Sequence, residues 1–261
     1  MENRTKTLDA ILAKLDKPPA AHNFARCNFQ RKDRTRSALV SLASGFPTVS
    51  YQWTLQAIEI TVADQRSDSE AIEILRRNCP PSQFEHNLEL LNAFLDYHAI
   101  RKFEGIQVYP EFKGWFEVGP AVRVPVSPTV VIRENGGLKP LFVIGWATNG
   151  LSYYQRRFLT SIYEDAIYSL TDFQASEGEV LFFPRNGYGK RIADPWKRST
   201  FEALSHEELV EQVERFAIAR EEARPLIAER YQERERRKAM KIQPTTRRSP
   251  EAGDEKGLAK S

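Results

Sequence analysis

The hydrophobic period of this chain changes near Val108, and that change constrains the fold more than any other feature. Upstream, apolar residues recur at helical spacing; downstream they alternate or run together, as strands do. Val122, Val124 and Val126 alternate with Arg123 and Pro125, and Val130 and Ile132 continue an extended run. Leu141, Phe142, Val143 and Ile144 form a continuous apolar stretch, expected of a strand covered on both faces. Between the last two strands, Asn135-Gly136 supplies the positive φ angles of a tight hairpin, and Gly137 points to a slightly longer loop. Residues 115–170 thus read as strand, strand, Asn-Gly turn, strand and helix.

Asn149-Gly150 ends the third strand, and Leu151, Tyr154, Phe158, Ile162 and Ala166 form the apolar stripe of the helix that follows. Gln155, Arg156 and Arg157 fall near the edge of that stripe. Val180, Leu181, Phe182 and Phe183 predict a fourth strand, and Asn186-Gly187 a hairpin tip over residues 184–191.

On the N-terminal side, a short helix over residues 7–15 stops at Lys17-Pro18-Pro19. Residues 20–36 read as a basic linker, and residues 36–63 as helix, turn, helix around Gly45-Phe46-Pro47. Ser67-x-x-Glu70, Ser82-x-x-Glu85 and Ser205-x-x-Glu208 each match a capping box, in which serine and glutamate satisfy each other's orphan backbone donors. The second opens a helix with Leu88, Leu91 and Leu95 on one stripe. Pro225 should kink or end the helix that starts at Ser205, because it lacks a backbone donor. The expected class is α/β, a small mixed sheet flanked by helices, with a helical N-terminal extension and a long C-terminal helix. Its expected organisation is a basic arm over 1–36, a single α/β domain over 37–224, and a charged helix passing into a disordered tail over 225–261.

At 261 residues the chain can bury a substantial core, and its 41% apolar and 28% charged residues are ordinary for a soluble protein. No apolar run approaches the roughly 18 residues of a membrane span. The first seventeen residues carry acids and no continuous apolar core, unlike a secretory signal. The two cysteines, Cys27 and Cys79, lack metal-ligand spacing and fit a reducing compartment, so a cytoplasmic location is expected. The net charge of +3 is uneven: residues 1–36 carry +5, residues 229–261 carry +4, and the body between carries −6. Basic ends are open to two readings, a grip on phosphate backbones or solubilising disordered termini.

The order helix from Ser82, three strands, helix, strand resembles the core of the PD-(D/E)XK nuclease superfamily, the restriction-endonuclease-like fold, over residues 82–193. The resemblance implies an acid after a proline at the head of the second core strand, and an acid and a lysine two apart on the third. Pro128-Thr129 takes the place of the first pair, and Ile144-Gly145-Trp146 the place of the acid-x-lysine. Mg²⁺ wants oxygen ligands at about 2.0–2.1 Å, and an aliphatic chain and an indole offer none. Thr129, Ile144 and Trp146 are therefore degenerate positions, and no catalytic residue, metal or cofactor is expected there.

Glu117, Glu134, Lys139, Glu164 and Asp165 are the nearest groups to which the chemistry could have moved, though solvated surface is their simpler reading. Gly187-Tyr188-Gly189-Lys190 lacks the spacing and following helix of a phosphate loop. His22, His86, His98 and His206 show no ligand pairing, and no nucleophile motif occurs. Phe112, Trp115, Phe116, Tyr153 and Tyr154 could stack bases but fit a packed core better. The nucleic-acid candidates are Arg156, Arg157, Lys190, Arg191, Lys197 and Arg198, with the run Arg236-Arg237-Lys238. Three functional readings follow: a non-catalytic nuclease-like domain that binds DNA or RNA or assists a partner that does; a protein-interaction module of adaptor or immunity type; and a Mg²⁺ nuclease with relocated acids. None of them involves a membrane.

Overall fold

The computed structural model describes residues 7–45, 49–101, 104–106, 112–120, 122–148 and 150–242. Six helices come first: α1 (Leu8–Leu12), α2 (Ala21–Cys27), α3 (Lys32–Ser44), α4 (Gln52–Ala63), α5 (Asp68–Asn78) and α6 (Pro81–Arg101). Strands β1 (Glu104–Ile106), β2 (Gly114–Gly119), β3 (Val122–Val126), β4 (Val130–Glu134) and β5 (Gly137–Ile144) follow. Then come α7 (Tyr153–Tyr163), a π-turn over Glu164–Tyr168, β6 (Glu179–Phe182), β7 (Asp194–Lys197) and α8 (His206–Ile242).

Five strands form one mixed sheet in the order β1-β4-β5-β6-β7. β1, β4 and β5 make an antiparallel meander, β6 runs parallel to β5, and β7 is antiparallel to β6. The parallel step needs a crossover, and α7 supplies it. Side chains alternate between two cores, so both faces of the sheet are covered. Val130, Ile132, Leu141, Val143, Leu181 and Phe183 pack with Leu75, Leu90 and Phe94 of α5 and α6. Val131, Phe142, Ile144 and Phe182 pack with Phe24, Phe158 and Phe216 of α2, α7 and α8. The protein is a mixed α/β fold, as its periodicities predict.

Several local expectations are corrected. The extended run over 122–132 divides at Ser127-Pro128: β3 pairs only with β2 in a separate two-stranded hairpin, and β4 enters the main sheet. The turn at Asn135-Gly136 is no longer than two residues. Both have positive φ, 52° and 78°, and Gly137 already pairs with Glu134, so the turn matches the strand twist without an extra residue. Gly114 is fixed by proximity, since a Cβ there would lie 2.1 Å from the Ala166 carbonyl oxygen in the π-turn.

Residues 20–36 are not a linker. Ala21, Phe24, Ala25, Asn28 and Thr35 are buried, and the basic residues between them keep to the outer face of α2 and α3. The Ser67 and Ser205 boxes form, with Ser205 N donating to Glu208 at 2.9 Å. The Ser82 box does not, because the helix has already started at Pro81, which suits a first-turn position that needs no donor. A box that sequence reading missed, Ser152 with Gln155, opens α7. Gln155 is then buried and donates to the Arg26 carbonyl at 2.8 Å, tying α7 to α2. Pro225 does not end α8. Ala223 and Ile227 on either side are buried in the core, and that packing outweighs the roughly 3 kcal/mol cost of an internal proline. The tail expected beyond Ile242 and the residues Phe46, Pro47 and Asn149 lie outside the described residues.

A candidate binding cavity at the head of β4

Thr129 precedes β4 by one residue, at the end of the sheet where β5 finishes. Its backbone N–H donates to the Leu141 carbonyl at 2.7 Å, and its Oγ1 accepts the Val143 N–H at 2.9 Å. The hydroxyl thus extends the ladder by one bond. Ile144 is the last residue of β5 and is 1% exposed, inside the core. Trp146 lies past the strand end and is half-buried. The Arg26 guanidinium covers its ring at 4.8 Å, and the edge of His22 meets it at 5.4 Å. Between them Gly145 is held tight, since a Cβ there would meet Leu90 and Tyr51 at 2.7 Å.

Beside Thr129 a cavity of about 300 Å³ opens between α2, α4 and the head of β4. Its polar lining includes His22, Gln52, Gln56, Glu59, Thr129 and Tyr163. An adjoining groove of about 980 Å³ shares His22, Gln52, Leu55 and Val143 and runs past Arg26 and Trp146. Burial raises the Glu59 carboxyl above its ordinary range. His22 keeps some exposed surface yet is densely surrounded by protein atoms, and this burial pushes its pKa down to about 4. At neutral pH the imidazole is therefore uncharged. The sequence signal for Glu59 is faint: Gln52, Gln56 and Glu59 follow i, i+4, i+7. That spacing is a polar stripe on a helix whose other face, with Ala57, Ile58 and Val62, is wholly buried.

The six cationic candidates separate sharply. Arg191 is 2% exposed; it donates to the Gly145 and Phe183 carbonyls at 3.0 Å each and to Tyr51 Oη at 2.7 Å. Arg198 pairs with Glu164 at 2.5 Å, bonds the Gln174 and Ser176 carbonyls, and covers the Tyr168 ring. Arg157 pairs with Glu208 and bonds the Glu202 and Ala203 carbonyls. Arg156 lies over Trp196 at 4.3 Å and donates to the Leu151 carbonyl. These four guanidinium groups tie elements together. Lys190 and Lys197 are exposed, near Asp96 at 3.5 Å and Glu177 at 3.7 Å. The six do not converge on one surface with the cavity: none of them lines it. Arg236 and Arg237 are exposed and Lys238 partly so, near the end of α8. Of the aromatic candidates, Phe116 is buried and Tyr154 donates to Gln212 at 2.8 Å, while Trp115 and Tyr153 stay exposed.

The acids considered for relocated chemistry do not form a ligand set, although burial and then the nearby charge of Glu117 raise the Asp165 carboxyl. Glu117 pairs with Arg123 at 2.9 Å, and Glu164 with Arg198. Asp165 is exposed at the π-turn. Glu134 lies at the far end of β4, about 17 Å from Thr129 at the usual strand rise. There it joins a closed charge network. Arg101 donates to Glu134 at 2.7 Å and to Glu179 at 3.2 Å, Lys139 to Glu134 at 2.7 Å, and Tyr97 to Glu179 at 2.8 Å. The Lys139 and Arg101 partners hold the Glu134 carboxyl below its ordinary range. Among the described residues, no group of three or more His, Cys, Asp or Glu is placed to hold a metal ion, and no helix is long and apolar enough to cross a membrane. Comparison with protein-family models, with curated proteins and with solved structures gave no match to this chain, so its functional reading rests on its own residues.

Proposed function

We propose that this protein is a nuclease-like domain without hydrolytic chemistry that binds nucleic acid or assists a partner that processes it. The element order supports the scaffold. α6, β1, β4, β5, α7 and β6 form helix, antiparallel meander, helix and parallel strand, with β2–β3 inserted after the first strand. The observation that carries the loss of chemistry is the set Thr129, Ile144 and Trp146. One hydroxyl is committed to the Val143 N–H, one side chain is sealed in the core, and one indole is covered by Arg26. Metal-assisted phosphoryl transfer needs converging oxygen ligands, and these three supply none.

Binding is supported by the way the two positive segments fold. α3 packs along α8, with Lys32 and Arg36 both on Glu222, and Asp16 pairs with Arg220 and Arg224. The basic stretch of α8 continues C-terminal to this contact, with Arg234, Arg236 and Arg237 exposed. Fluorescence anisotropy with single- and double-stranded DNA and RNA tests the reading across a salt series. Affinity should fall steeply with salt, through release of counterions. No measurable affinity even at low salt removes this reading.

A second reading, a protein-interaction module, is favoured by one feature. Tyr188 is 97% exposed on the 184–191 tip, whose backbone is held by Asn186 Oδ1 accepting from the N–H groups of Tyr188 and Lys190 at 3.0 Å. Tyrosine is enriched at the centres of protein interfaces, where its ring buries apolar area and its hydroxyl finds a partner. Recovery from native lysate of one stoichiometric protein that survives nuclease treatment, and is lost with Tyr188→Ala, would favour this reading over the first.

A further inference from the structure

The cavity at the head of β4 has an unusual electrostatic make-up. Its one carboxylate, Glu59, is half-buried and makes no ion pair or hydrogen bond among the described residues. Among the described residues no lysine or arginine lines it, and His22 is uncharged at neutral pH. Tyr163 is 4% exposed and stacks on Phe142 with ring centroids 4.0 Å apart, yet its hydroxyl has no partner among the described residues. Elsewhere in the fold, acids of similar burial are paired, Glu134 with Arg101 and Lys139 and Glu89 with Arg185, as is the fully buried Glu179 with Arg101. An unpaired half-buried carboxylate costs desolvation that a cation would offset.

From this geometry we infer that the cavity is a binding site for a small organic cation, an alkylammonium group, with Glu59 as its counter-ion. The Gln52 and Gln56 amides supply neutral acceptors on the same lining, and Thr129 and Tyr163 complete its polar wall. Leu55, Val126, Phe142 and Val143 form apolar walls for the ligand's carbon stem. An anion is disfavoured because the lining holds a carboxylate and no cation. A divalent metal is disfavoured because one carboxylate among amides is a poor oxygen set for a hard ion. A volume of about 300 Å³ is at the small end of ligand sites and suits such a molecule. The inference stands on the cavity alone and holds whether or not the nuclease-like reading does.

Isothermal titration of the full chain with n-butylammonium tests it, beside Nα-acetyl-lysine amide, which presents the same group as a partner's side chain. 1-Butanol and butyrate are the controls. At least one of the two cations should bind saturably to the wild type, and the tighter of them identifies the source of the group. Butanol and butyrate should not bind. Glu59→Gln, with unchanged circular dichroism, should weaken binding by about tenfold or more, the scale of one partly desolvated charge contact. Tyr163→Phe should weaken it by a smaller factor, about threefold. Failure of both cations to bind saturably overturns the inference, as does unchanged affinity in Glu59→Gln or equal binding of butanol.

Discussion

Two clusters at opposite ends of β4 treat their charged groups in opposite ways. At the end where β4 finishes, Arg101, Glu134, Lys139, Glu179 and Tyr97 form a network whose carboxylates each have a donor within 3.2 Å. At the end where β4 begins, Glu59 lines a cavity without a partner among the described residues. Both ends carry ionisable side chains on similar backbone. The difference lies in completion, because a closed network holds elements together and has little capacity left for a ligand. An open set costs free energy until something fills it.

The largest effect should come from opening the closed end. Arg101→Met leaves Glu134 with Lys139 alone and the buried Glu179 with only the Tyr97 hydroxyl, and should lower stability by about 2 kcal/mol in urea unfolding, the scale of charged hydrogen bonds lost at a partly buried site. The same network should respond to acid. Lys139 and Arg101 depress the Glu134 carboxyl, so its contribution is complete above the unfolded glutamate pKa, near 4.3, and is lost as pH falls through the lower folded value. Lys139→Met should flatten that acid limb in a pH series of unfolding midpoints.

Smaller effects should follow at the open end. Thr129→Val keeps the shape but leaves the Val143 N–H unbonded, and should cost about 1–2 kcal/mol by the same measurement. Glu59→Gln should shift stability by less than about 1 kcal/mol, and in the opposite direction. Burial raises the folded pKa of Glu59, so its stability contribution is present at low pH and is lost as pH rises through that value. The glutamine variant should therefore match the wild type in acid and exceed it at neutral pH. A wild-type advantage at neutral pH would mean that Glu59 already has a partner, and the contrast between the ends would collapse.

Local signals made much of the fold readable. Asn135-Gly136, the apolar run Leu141–Ile144 and the Ser67 and Ser205 boxes act over a few residues, and they fixed the hairpin, the central strand and two helix starts. The α2 segment was misread because seven residues are too few for periodicity to outweigh their basic neighbours; only its burial against α7 and α8 shows its role. The cationic candidates misled for a related reason. Arg157 and Arg198 look free in sequence, but their carboxylates lie 51 and 34 residues away. The cavity was invisible for the same reason, since Glu59, Thr129 and Tyr163 come from three separate elements. Only the polar stripe on α4 pointed towards it.

The central claim is that the scaffold binds without hydrolysing, and one measurement addresses both halves. Labelled single- and double-stranded DNA and RNA are incubated with the purified protein in Mg²⁺ and in Mn²⁺ at low salt. Anisotropy is read first, and the same samples are then resolved on a denaturing gel. The account predicts raised anisotropy with full-length substrate in every lane. Cleavage that disappears with Glu117→Ala or Glu134→Ala would contradict it and restore a metal-dependent nuclease with relocated acids.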